Sequence, residues 1–459
     1  MPAPPERAAA PARGRLSLPQ HIVRTLRLAV PVMLARAGLI IMVSVDTIMT
    51  GRAGADELAY YAISLAPYVT LFVIGIGLLV GTIVLTAQAD GAGQAAEAGT
   101  IWVSALWIAG VLGVASWLLL LSGEGLLRLL GQGPSLAAGG GGALVMFAPG
   151  MPAILMYVAT TFVLEGISRP GPGMAVALGA NLVNAALNWV MIYGHFGFPA
   201  MGAAGAALAT TITRWAMLLV LAGYALTMRD GAAYGLRGAP RARLATARKL
   251  LRVGAPLSLA AGLETACFAT VTTFAGRLGQ VPLAGYQIAF NVVTFVFMLA
   301  IGLSTATSVR VANAVGRRDR EGMAMAGWTG VGLVGILMLV VGALIRFLNG
   351  EIARLYSAEA AVLALAVPAL TVAAAIVVVD GAQTVVFGAL RGAGDVLVPT
   401  VSYAVSFWVV AAPAAYVLGL KGEAGILGLL WGLFAGLLCA LLLLSWRFVL
   451  VARRDVRPM

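Results

Sequence analysis

Charged residues are scarce in this chain, at 10% of 459 residues, and this scarcity excludes an ordinary soluble domain. Soluble domains carry about 25% charged residues because their surfaces face water. Hydrophobic residues reach 61% here. Such a composition is typical of a protein whose surface faces hydrocarbon, so we expect a polytopic membrane protein.

Cysteine and histidine are also rare, with two residues of each. Cys267 and Cys439 lie in apolar segments, and two cysteines can build neither a disulfide framework nor a four-ligand zinc site. His21 and His195 have no metal-like partner nearby in the sequence. No short apolar core with a cleavage site precedes the first long apolar run, so we expect no signal peptide.

Apolar runs long enough to cross about 30 Å of hydrocarbon recur throughout the chain. Short segments of alternating hydrophobicity, the signature of a membrane β-barrel, are absent. We therefore predict an all-α polytopic membrane protein with twelve transmembrane helices. Their approximate ranges are 29–50, 60–86, 101–122, 143–165, 174–194, 202–226, 253–275, 283–307, 325–347, 362–388, 397–418 and 425–449.

The net charge of +12 is distributed as a topology signal. With the N-terminus inside, the basic residues fall on alternate connections, as the positive-inside rule requires. Both termini are then cytoplasmic, and a nucleic-acid partner is not expected. The predicted inner clusters are Arg7, Arg13, Arg15, Arg24 and Arg27, the stretch 229–252, Arg310, Arg317, Arg318 and Arg320, and Arg447, Arg453, Arg454 and Arg457.

Two parts of the chain, 27–94 and 252–319, are copies of one segment in register at an offset of 225. Each repeat holds an even number of spans, which predicts parallel repeats related by a pseudo-twofold axis along the membrane normal. Such duplication is typical of secondary transporters. Matched pairs include Pro31 and Pro256, Tyr61 and Tyr286, Gly91 and Gly316, and, at a second offset of 222, Gly166 and Gly388, and Arg169 and Arg391.

One long polar connection divides the chain into two halves. We predict an N-lobe of six transmembrane helices at 1–228, a cytoplasmic linker at 229–249, and a C-lobe of six transmembrane helices at 250–459. The four consecutive glycines at 139–142 predict a flexible outer loop before the fourth span.

Three carboxylates lie inside apolar stretches, namely Asp46, Glu264 and Asp380. A charge at the centre of a span costs about 2.5–3.5 kcal/mol on insertion scales, so such residues usually mark ion or substrate sites. The alternative is a buried ion pair, for which Arg36 and Arg214 are the intramembrane candidates. Two acids that face each other would bind a cation, and the chemistry leaves both sodium and a proton open.

Departures from the repeat argue that these acids are functional. Asp46 aligns with Val271, and Glu264 aligns with Leu39, so each half places a carboxylate where the other has an apolar residue.

Amide side chains recur at helical spacing in two predicted spans. Asn181, Asn184 and Asn188 fall on one face of the fifth span, and Gln287 and Asn291 are four apart in the eighth. Such groups either join neighbouring helices through hydrogen bonds or line a polar cavity.

Six segments carry a family resemblance: VSVDTIMTG (43–51), NAALNWVMIYGHFG (184–197), GLETACFATV (262–271), YQIAFN (286–291), VRVANAVGRRD (309–319) and VDGAQTVVFGALRGAGD (379–395). With them the chain resembles the multidrug and toxic compound extrusion (MATE) transporters, and among these the NorM-like branch. The resemblance implies a cation-coupled antiporter that exports amphipathic, often cationic drugs or metabolites by alternating access. Na⁺ or H⁺ would be the coupling ion, without a further cofactor.

The resemblance also implies roles for individual residues. Asp46 matches the coupling acid of the first span, and Asn184 and Asn188 match the amides beside it. Glu264 and Asp380 match the cation site of the C-lobe, and would be the ligands if the ion is Na⁺.

Other implied features concern the substrate path and the setting. Gln287 and Asn291 are expected to line the cavity, and Glu359 matches an outer substrate contact. Arg36 departs from the family pattern. We expect a monomer in the bacterial cytoplasmic (inner) membrane, with small-molecule substrates and the lipid bilayer as partners.

Three other functions fit the sequence less well. A lipid-linked precursor flippase, or another exporter of the same superfamily, remains the alternative, although a flippase usually needs a strongly cationic cavity and the predicted intramembrane acids outnumber arginines here. The sequence shows no metal cluster or activated nucleophile for an enzyme, and no filter-like segment for a channel. We therefore predict no catalytic residues.

Overall fold

The computed structural model describes residues 17–237, 240–422, 424–454 and 458. Arg7, Arg13, Arg15 and Arg457, on which part of the predicted topology depends, lie outside this range. In the described part of the chain the regular structure is helical, without strands. Eleven helices there are long and apolar enough to cross a membrane, or twelve when one bent pair is counted as a span. The predicted fold class is confirmed.

The first half of the chain contributes six spans, of which the second is made of two successive helices. Helices suit hydrocarbon because every backbone hydrogen bond is satisfied within the segment. The helices are α1 (Leu18–Ala53), α2 (Ala55–Leu79), α3 (Gly81–Gly91), α4 (Glu97–Leu120), α5 (Gly123–Leu129), α6 (Pro134–Phe147), α7 (Gly150–Gly166), α8 (Gly171–Tyr193) and α9 (Gly202–Thr227).

The second half contributes the other six spans. One of them, Leu397–Lys421, is partly π-helical, over Val405–Ala411 and Tyr416–Lys421, and Pro413 lies between these two stretches. The helices are α10 (Leu244–Arg277), α11 (Gln280–Gly316), α12 (Arg320–Phe347), α13 (Asn349–Tyr356), α14 (Ala360–Gly392), α15 (Leu397–Ala404), α16 (Ala412–Ala415) and α17 (Gly425–Arg453).

The glycine run at 139–142 is not a loop, and that prediction is wrong. It lies within α6, which meets α7 at a bend of 46° next to Pro149. A Cβ at Gly139 would lie 2.5 Å from the Tyr60 ring, and one at Gly141 would lie 2.6 Å from the backbone of Glu124. The glycines therefore let α2 and α5 pack closely against α6, which is a common use of small residues in membranes.

Each half supplies most of one large core, so the molecule consists of two lobes, although Val309 and Ala312 join the first core and Ala29 joins the second. The N-lobe core contains Tyr61, Tyr68 and Phe147, and the C-lobe core contains Tyr286 and Phe407. All five side chains are no more than 1% exposed.

The lobes meet through glycines that occupy equivalent positions in the two repeats. A Cβ at Gly91 would lie 2.1 Å from the Asn313 carbonyl oxygen, and one at Gly316 would lie 2.1 Å from that of Gln88. Gln88 and Asn313 are themselves 225 positions apart, as are the two glycines. The contact is therefore the same on both sides of a pseudo-twofold axis, as the sequence repeat predicts.

A second pair of contacts follows the same symmetry deeper in the membrane. A Cβ at Gly77 would lie 2.6 Å from Ser258 Cα, and one at Gly302 would lie 2.3 Å from Met33 Cγ. Met33 and Ser258 are again equivalent positions. We call the contacts made by Gly77, Gly91, Gly302 and Gly316 the glycine seam.

The seam occupies one side of the molecule. We call this side, where α1 begins and α11 ends, the basic side, because it carries the arginines of both segments. Among the described residues, the hydrogen bonds between the lobes run from mid-helix to this side. They are Ser258 to Ile74, Arg310 to His21 and Thr25, Asn313 to Asp90, and Gln88 to Gly392.

Filling the seam should destabilise the protein. We expect Gly91→Val and Gly316→Val each to cost roughly 1–3 kcal/mol, because the opposing atoms are backbone and cannot rotate away. Thermal unfolding in detergent measures this loss, with Gly276→Ala as control, since a Cβ there meets nothing within 4 Å. If both valine variants unfold at the same temperature as the control, the close approach of the backbones does not hold the lobes together.

Candidate functional site

Asp46 lies in a closed pocket among four helices of the N-lobe. It is 1% exposed, and three neutral donors reach it from α2, α8 and α9. Tyr61 Oη donates to Oδ2 at 3.0 Å, Asn188 Nδ2 to Oδ1 at 2.6 Å, and Thr210 Oγ1 to Oδ2 at 2.8 Å. Burying a carboxylate is costly unless hydrogen bonds replace its water, and these three bonds do so.

A polar chain continues from Asp46 along α8. Asn188 Nδ2 also donates to Asn184 Oδ1, and Asn184 Nδ2 donates to Thr210 Oγ1, both at 3.2 Å. The spacing of four places the two asparagines on one face of α8, and both are fully buried. Asn181, one turn earlier, bonds back to a carbonyl of its own helix. The structure thus brings Asn184 and Asn188 together at Asp46.

Arg214 follows Thr210 by one turn of α9. Its guanidinium donates to the Tyr68 hydroxyl, and it lies 4.6 Å from the centre of the Tyr68 ring and 5.8 Å from that of Phe147. These are cation–π contacts, which suit a cation held away from water. Arg214 also lies near enough to Asp46 for their charges to interact, although no direct ion pair joins the two among the described residues.

The C-lobe holds its own acidic pocket between α10, α14 and α15. Asp380 is 4% exposed, and its Oδ1 accepts a hydrogen bond from Gln383 Nε2 at 3.1 Å. Tyr403 Oη donates to Gln383 Oε1 at 2.6 Å, which turns the amide nitrogen toward the acid. The Glu264 carboxylate faces the same amide and lies close enough to Asp380 for their charges to interact. The structure therefore brings Glu264 and Asp380 together.

The ligand chemistry of this pocket fits a small, hard cation. Two carboxylates and the Thr384 hydroxyl offer oxygen atoms, which such ions prefer, whereas the Gln383 carbonyl is turned toward Tyr403. The same two carboxylates could equally share a proton. In the part of the chain that the structure describes, no group of three or more His, Cys, Asp or Glu side chains could hold a metal ion.

The two pockets depart from the repeat in opposite ways. The Tyr61 hydroxyl donates to Asp46. The hydroxyl of its equivalent, Tyr286, instead lies 3.5 Å from Thr272 Oγ1, because Val271 replaces the acid there. Val271 is fully buried. Each lobe has thus kept the aromatic frame and placed its carboxylate at a different point.

One buried acid was missed by the sequence reasoning. Glu165, at the end of α7, is 3% exposed, and its Oε1 lies 3.9 Å from Arg36 Nη2 on α1. Arg36 also lies 5.5 Å from the centre of the Phe162 ring. Arg391, from α14 of the other lobe, is near enough to Glu165 for their charges to interact. We call Arg36, Glu165 and Arg391 the charge cluster.

The charge cluster is incompletely hydrogen-bonded. Within the described residues, Arg36 Nε, Glu165 Oε2 and Arg391 Nη2 are buried without a hydrogen-bond partner. Arg36, which departs from the family pattern, therefore has a counter-ion in Glu165. Because Glu165 ends an apolar run and directly precedes the turn at 167–170, the sequence alone assigns it to a span boundary rather than to the interior.

Three further predicted residues lie away from both pockets. Gln287 and Asn291 are exposed on α11, and Asn291 Oδ1 accepts a hydrogen bond from Tyr356 at 2.8 Å. Glu359 is exposed and directly precedes α14. Their predicted roles as cavity and substrate contacts stay predictions.

Comparison with known proteins follows the two-lobed plan. The MatE family model matches residues 31–190 and 256–417, one stretch in each lobe. The chain is 35% identical over 446 residues to a probable multidrug resistance protein NorM of Caulobacter vibrioides, covering 97% of this chain and 95% of that protein. It is 34% identical over 448 residues to a protein of the same name from Bradyrhizobium diazoefficiens, covering 96% and 95%.

A solved structure has the same fold. It shows the outward-facing conformation of a multidrug resistance MATE family transporter of the MOP superfamily. Its TM-score is 0.86 at 20% identity, and the match covers 96% of this chain and 98% of that one.

Removing only the acid of the charge cluster should destabilise the protein more than replacing both Arg36 and Glu165 by apolar residues. We expect Glu165→Gln to destabilise the protein by roughly 3–5 kcal/mol, because two buried guanidinium groups lose their counter-ion. The double variant Arg36→Leu with Glu165→Leu should recover part of that loss. Thermal unfolding in detergent measures both.

The exposed pair of Glu124 and Arg128, at 2.6 Å, is the matched control. Glu124→Gln should cost less than about 1 kcal/mol because water screens the pair. Equal losses at the two sites would contradict a buried, interdependent cluster.

Proposed function

This chain belongs to the MatE family, as its motifs predict, and we propose that it is a cation-coupled antiporter that exports amphipathic, often cationic drugs or metabolites. The names of its NorM relatives support multidrug export. We further propose that it resides in a bacterial inner membrane with both termini in the cytoplasm, because the basic side then satisfies the positive-inside rule.

The observation that carries this proposal is the presence of one acidic pocket in each lobe, at positions where the other repeat is apolar. Asp46 and the pair of Glu264 and Asp380 lie within helices apolar enough to cross a membrane. Carboxylates are retained at such depth mainly where they bind an ion. We propose these three as the residues that couple export to Na⁺ or H⁺.

In the N-lobe, we propose that protonation of Asp46 changes its bonding. The ionised carboxylate accepts from Tyr61, Asn188 and Thr210, and a proton on one oxygen would compete with these donors. The contacts of α1 with α8 and α9 would loosen. A gain or loss of one proton would thus alter how the first span packs in its lobe.

In the C-lobe, the proposed event is uptake of one positive charge by two carboxylates. Glu264 and Asp380 repel each other when both are ionised, and a shared proton or Na⁺ relieves this repulsion. Gln383 and Tyr403 hold the Asp380 side of the pair in place. Glu264, which is only partly buried, is the side through which the ion would arrive.

Alternating access is proposed from the location of the glycine seam. The lobes are joined from mid-helix to the basic side, so in this conformation their opposite ends would bound the opening for substrate. Alternating access would then require the glycine seam to open while the opposite ends of the two lobes close. Lobes with separate cores can move in this way with little internal change.

Neutralising either acid of the C-lobe pocket should abolish coupling. We expect Glu264→Gln and Asp380→Asn to reduce gradient-driven efflux of an amphipathic cationic dye from proteoliposomes to the rate of empty liposomes. Asp46→Asn should remove the pH dependence of efflux. Separate Na⁺ and pH gradients identify the ion, and Glu351→Gln, at an exposed acid of α13, is the control. Undiminished coupling in either C-lobe variant would contradict the proposal.

Joining the ends of the lobes away from the seam should stop transport. Cysteines at Gly51 and Gly276, equivalent positions at the ends of α1 and α10, can be crosslinked in a background without Cys267 and Cys439. We expect the crosslinked protein to lose efflux and the reduced protein to regain it. The same crosslinker on each single cysteine variant is the control, and transport by the fully crosslinked protein would argue against alternation.

A further inference from the structure

A cavity of about 1700 Å³ lies on the basic side, beside the hydrogen bonds of Arg310 and Asn313 that join the two lobes there. The start of α1 and the turn before α8 form one wall, and the end of α11 with the start of α12 forms the other. Seven arginines line it, against two acidic residues, Asp319 and Glu321. None of the proposed coupling acids belongs to this lining.

Four of these arginines are committed to the protein. Arg169 Nη1 donates to Asp230 Oδ1 at 2.8 Å, and this guanidinium lowers the pKa of Asp230. Arg310 donates to the His21 carbonyl at 2.8 Å and thereby joins α11 to α1. Arg320 Nε donates to the Ala452 carbonyl at 2.8 Å. Arg317 donates to Asn313 Oδ1, and its Nη2 lies 3.9 Å from Asp319 Oδ2. These bonds shape the cavity walls, and Arg169 and Arg317 have acidic partners within the protein.

The cavity therefore carries a large excess of positive charge. When Asp230 is counted beside Asp319 and Glu321, the arginines still exceed the acids by four. The Asp319 carboxylate is itself engaged, because it caps α12 by accepting from the Gly322 backbone N–H at 2.8 Å. Arginine excess around one concave site is suited to phosphate, which guanidinium groups bind through two parallel hydrogen bonds.

The apolar surface next to the cavity indicates a lipid rather than a soluble anion. Arg27 lies on one stripe of α1 with Val23, Val30 and Leu34, which are 63%, 47% and 44% exposed. The spacings of three and four keep these side chains on one helix face. If the phosphate of a lipid is held at Arg27, the acyl chain of that lipid can lie on this adjoining apolar surface.

We propose that this cavity binds the phosphate headgroup of an anionic phospholipid from the leaflet on the basic side. Basic pockets between transmembrane helices on the cytoplasmic side are known to hold such headgroups. The inference goes beyond the proposed transport function and does not depend on it.

The bound headgroup would favour one conformation. Arg24 and Arg27 belong to the N-lobe, whereas Arg318 belongs to the C-lobe. A ligand held by both walls binds only while these walls are close together, so its binding energy favours the state with a closed glycine seam. Anionic lipid would thus stabilise the conformation described here over its opposite.

Binding is tested by titrating fluorescent phosphatidylglycerol into the purified full-length protein in neutral detergent. The variant Arg24→Gln with Arg27→Gln should lower the affinity roughly 25-fold, since each arginine near anionic lipid contributes about fivefold. The matched control is Arg248→Gln with Arg252→Gln, which removes two exposed cations of α10 outside the cavity. An equal loss in both double variants would overturn the site in favour of diffuse surface attraction.

The source of the phosphate is tested by competition. Inorganic phosphate should displace the labelled lipid no better than chloride at the same ionic strength, and unlabelled phosphatidylcholine should not displace it. Displacement by inorganic phosphate at concentrations comparable with the lipid would overturn the lipid assignment, because the cavity would then bind the free anion.

A second measurement uses otherwise intact protein in case the arginine variants fail to fold. Spin labels at Val23→Cys on α1 and Met325→Cys on α12, in a background without native cysteines, report the distance between the cavity walls. We expect phosphatidylglycerol to narrow the distribution toward the short distance, and phosphatidylcholine to leave it unchanged. A distribution insensitive to phosphatidylglycerol would overturn the proposed effect on conformation.

Discussion

The close approach of the lobes at Gly91 and Gly316 is the constraint on which the rest of the structure depends. No side chain fits between Gly91 and Asn313, or between Gly316 and Gln88. Because hydrocarbon gives no hydrophobic drive for association, close backbone packing is what holds two such lobes together. The symmetry of the contact also explains why the duplicated segments stay in register without a gap. An insertion in either copy would rotate one glycine out of the seam.

Buried charge is the second constraint, and the protein meets it in three ways. Asp46 accepts hydrogen bonds from neutral donors with the Arg214 charge nearby, Asp380 shares the Gln383 amide with Glu264, and Glu165 lies beside Arg36. In the first two arrangements a carboxylate can still accept a cation. In the third, the Glu165 carboxylate already has the Arg36 guanidinium as its counter-ion. This difference separates the candidate coupling groups from a structural ion pair. It depends on which side chains surround each carboxylate rather than on how deeply the carboxylate is buried.

Helical periodicity and duplication predicted the spans, the repeat and the shared helix face of Asn184 and Asn188. The meeting of these asparagines with Asp46 was implied only by the family resemblance. Prediction from the sequence failed where the outcome depended on what a neighbouring helix offers. The glycines at 139–142 carry no sign that Tyr60 and Glu124 pack against them. Glu165 has no local sign that α1 supplies Arg36. Such contacts join residues far apart in the chain, and without the fold their partners cannot be named.

The proposed coupling acids lie off the seam, so a bound ion would influence the contact between the lobes only through the helices that carry both an acid and a seam residue. In α1, Asp46 lies in the C-terminal half of the helix, whereas Thr25 and Met33, which contact the C-lobe, lie in the N-terminal half. In α10, Glu264 lies six residues beyond Ser258, which contacts Gly77. Both helices contain a proline at the equivalent position, Pro31 and Pro256, where a backbone hydrogen bond is missing and bending is easier. In each helix the seam residue, Met33 or Ser258, follows the proline by two positions and lies on the same side of it as the acid. The acid and the seam contact are therefore joined by uninterrupted helix, and a bend at the proline would move both together relative to the helix start on the basic side.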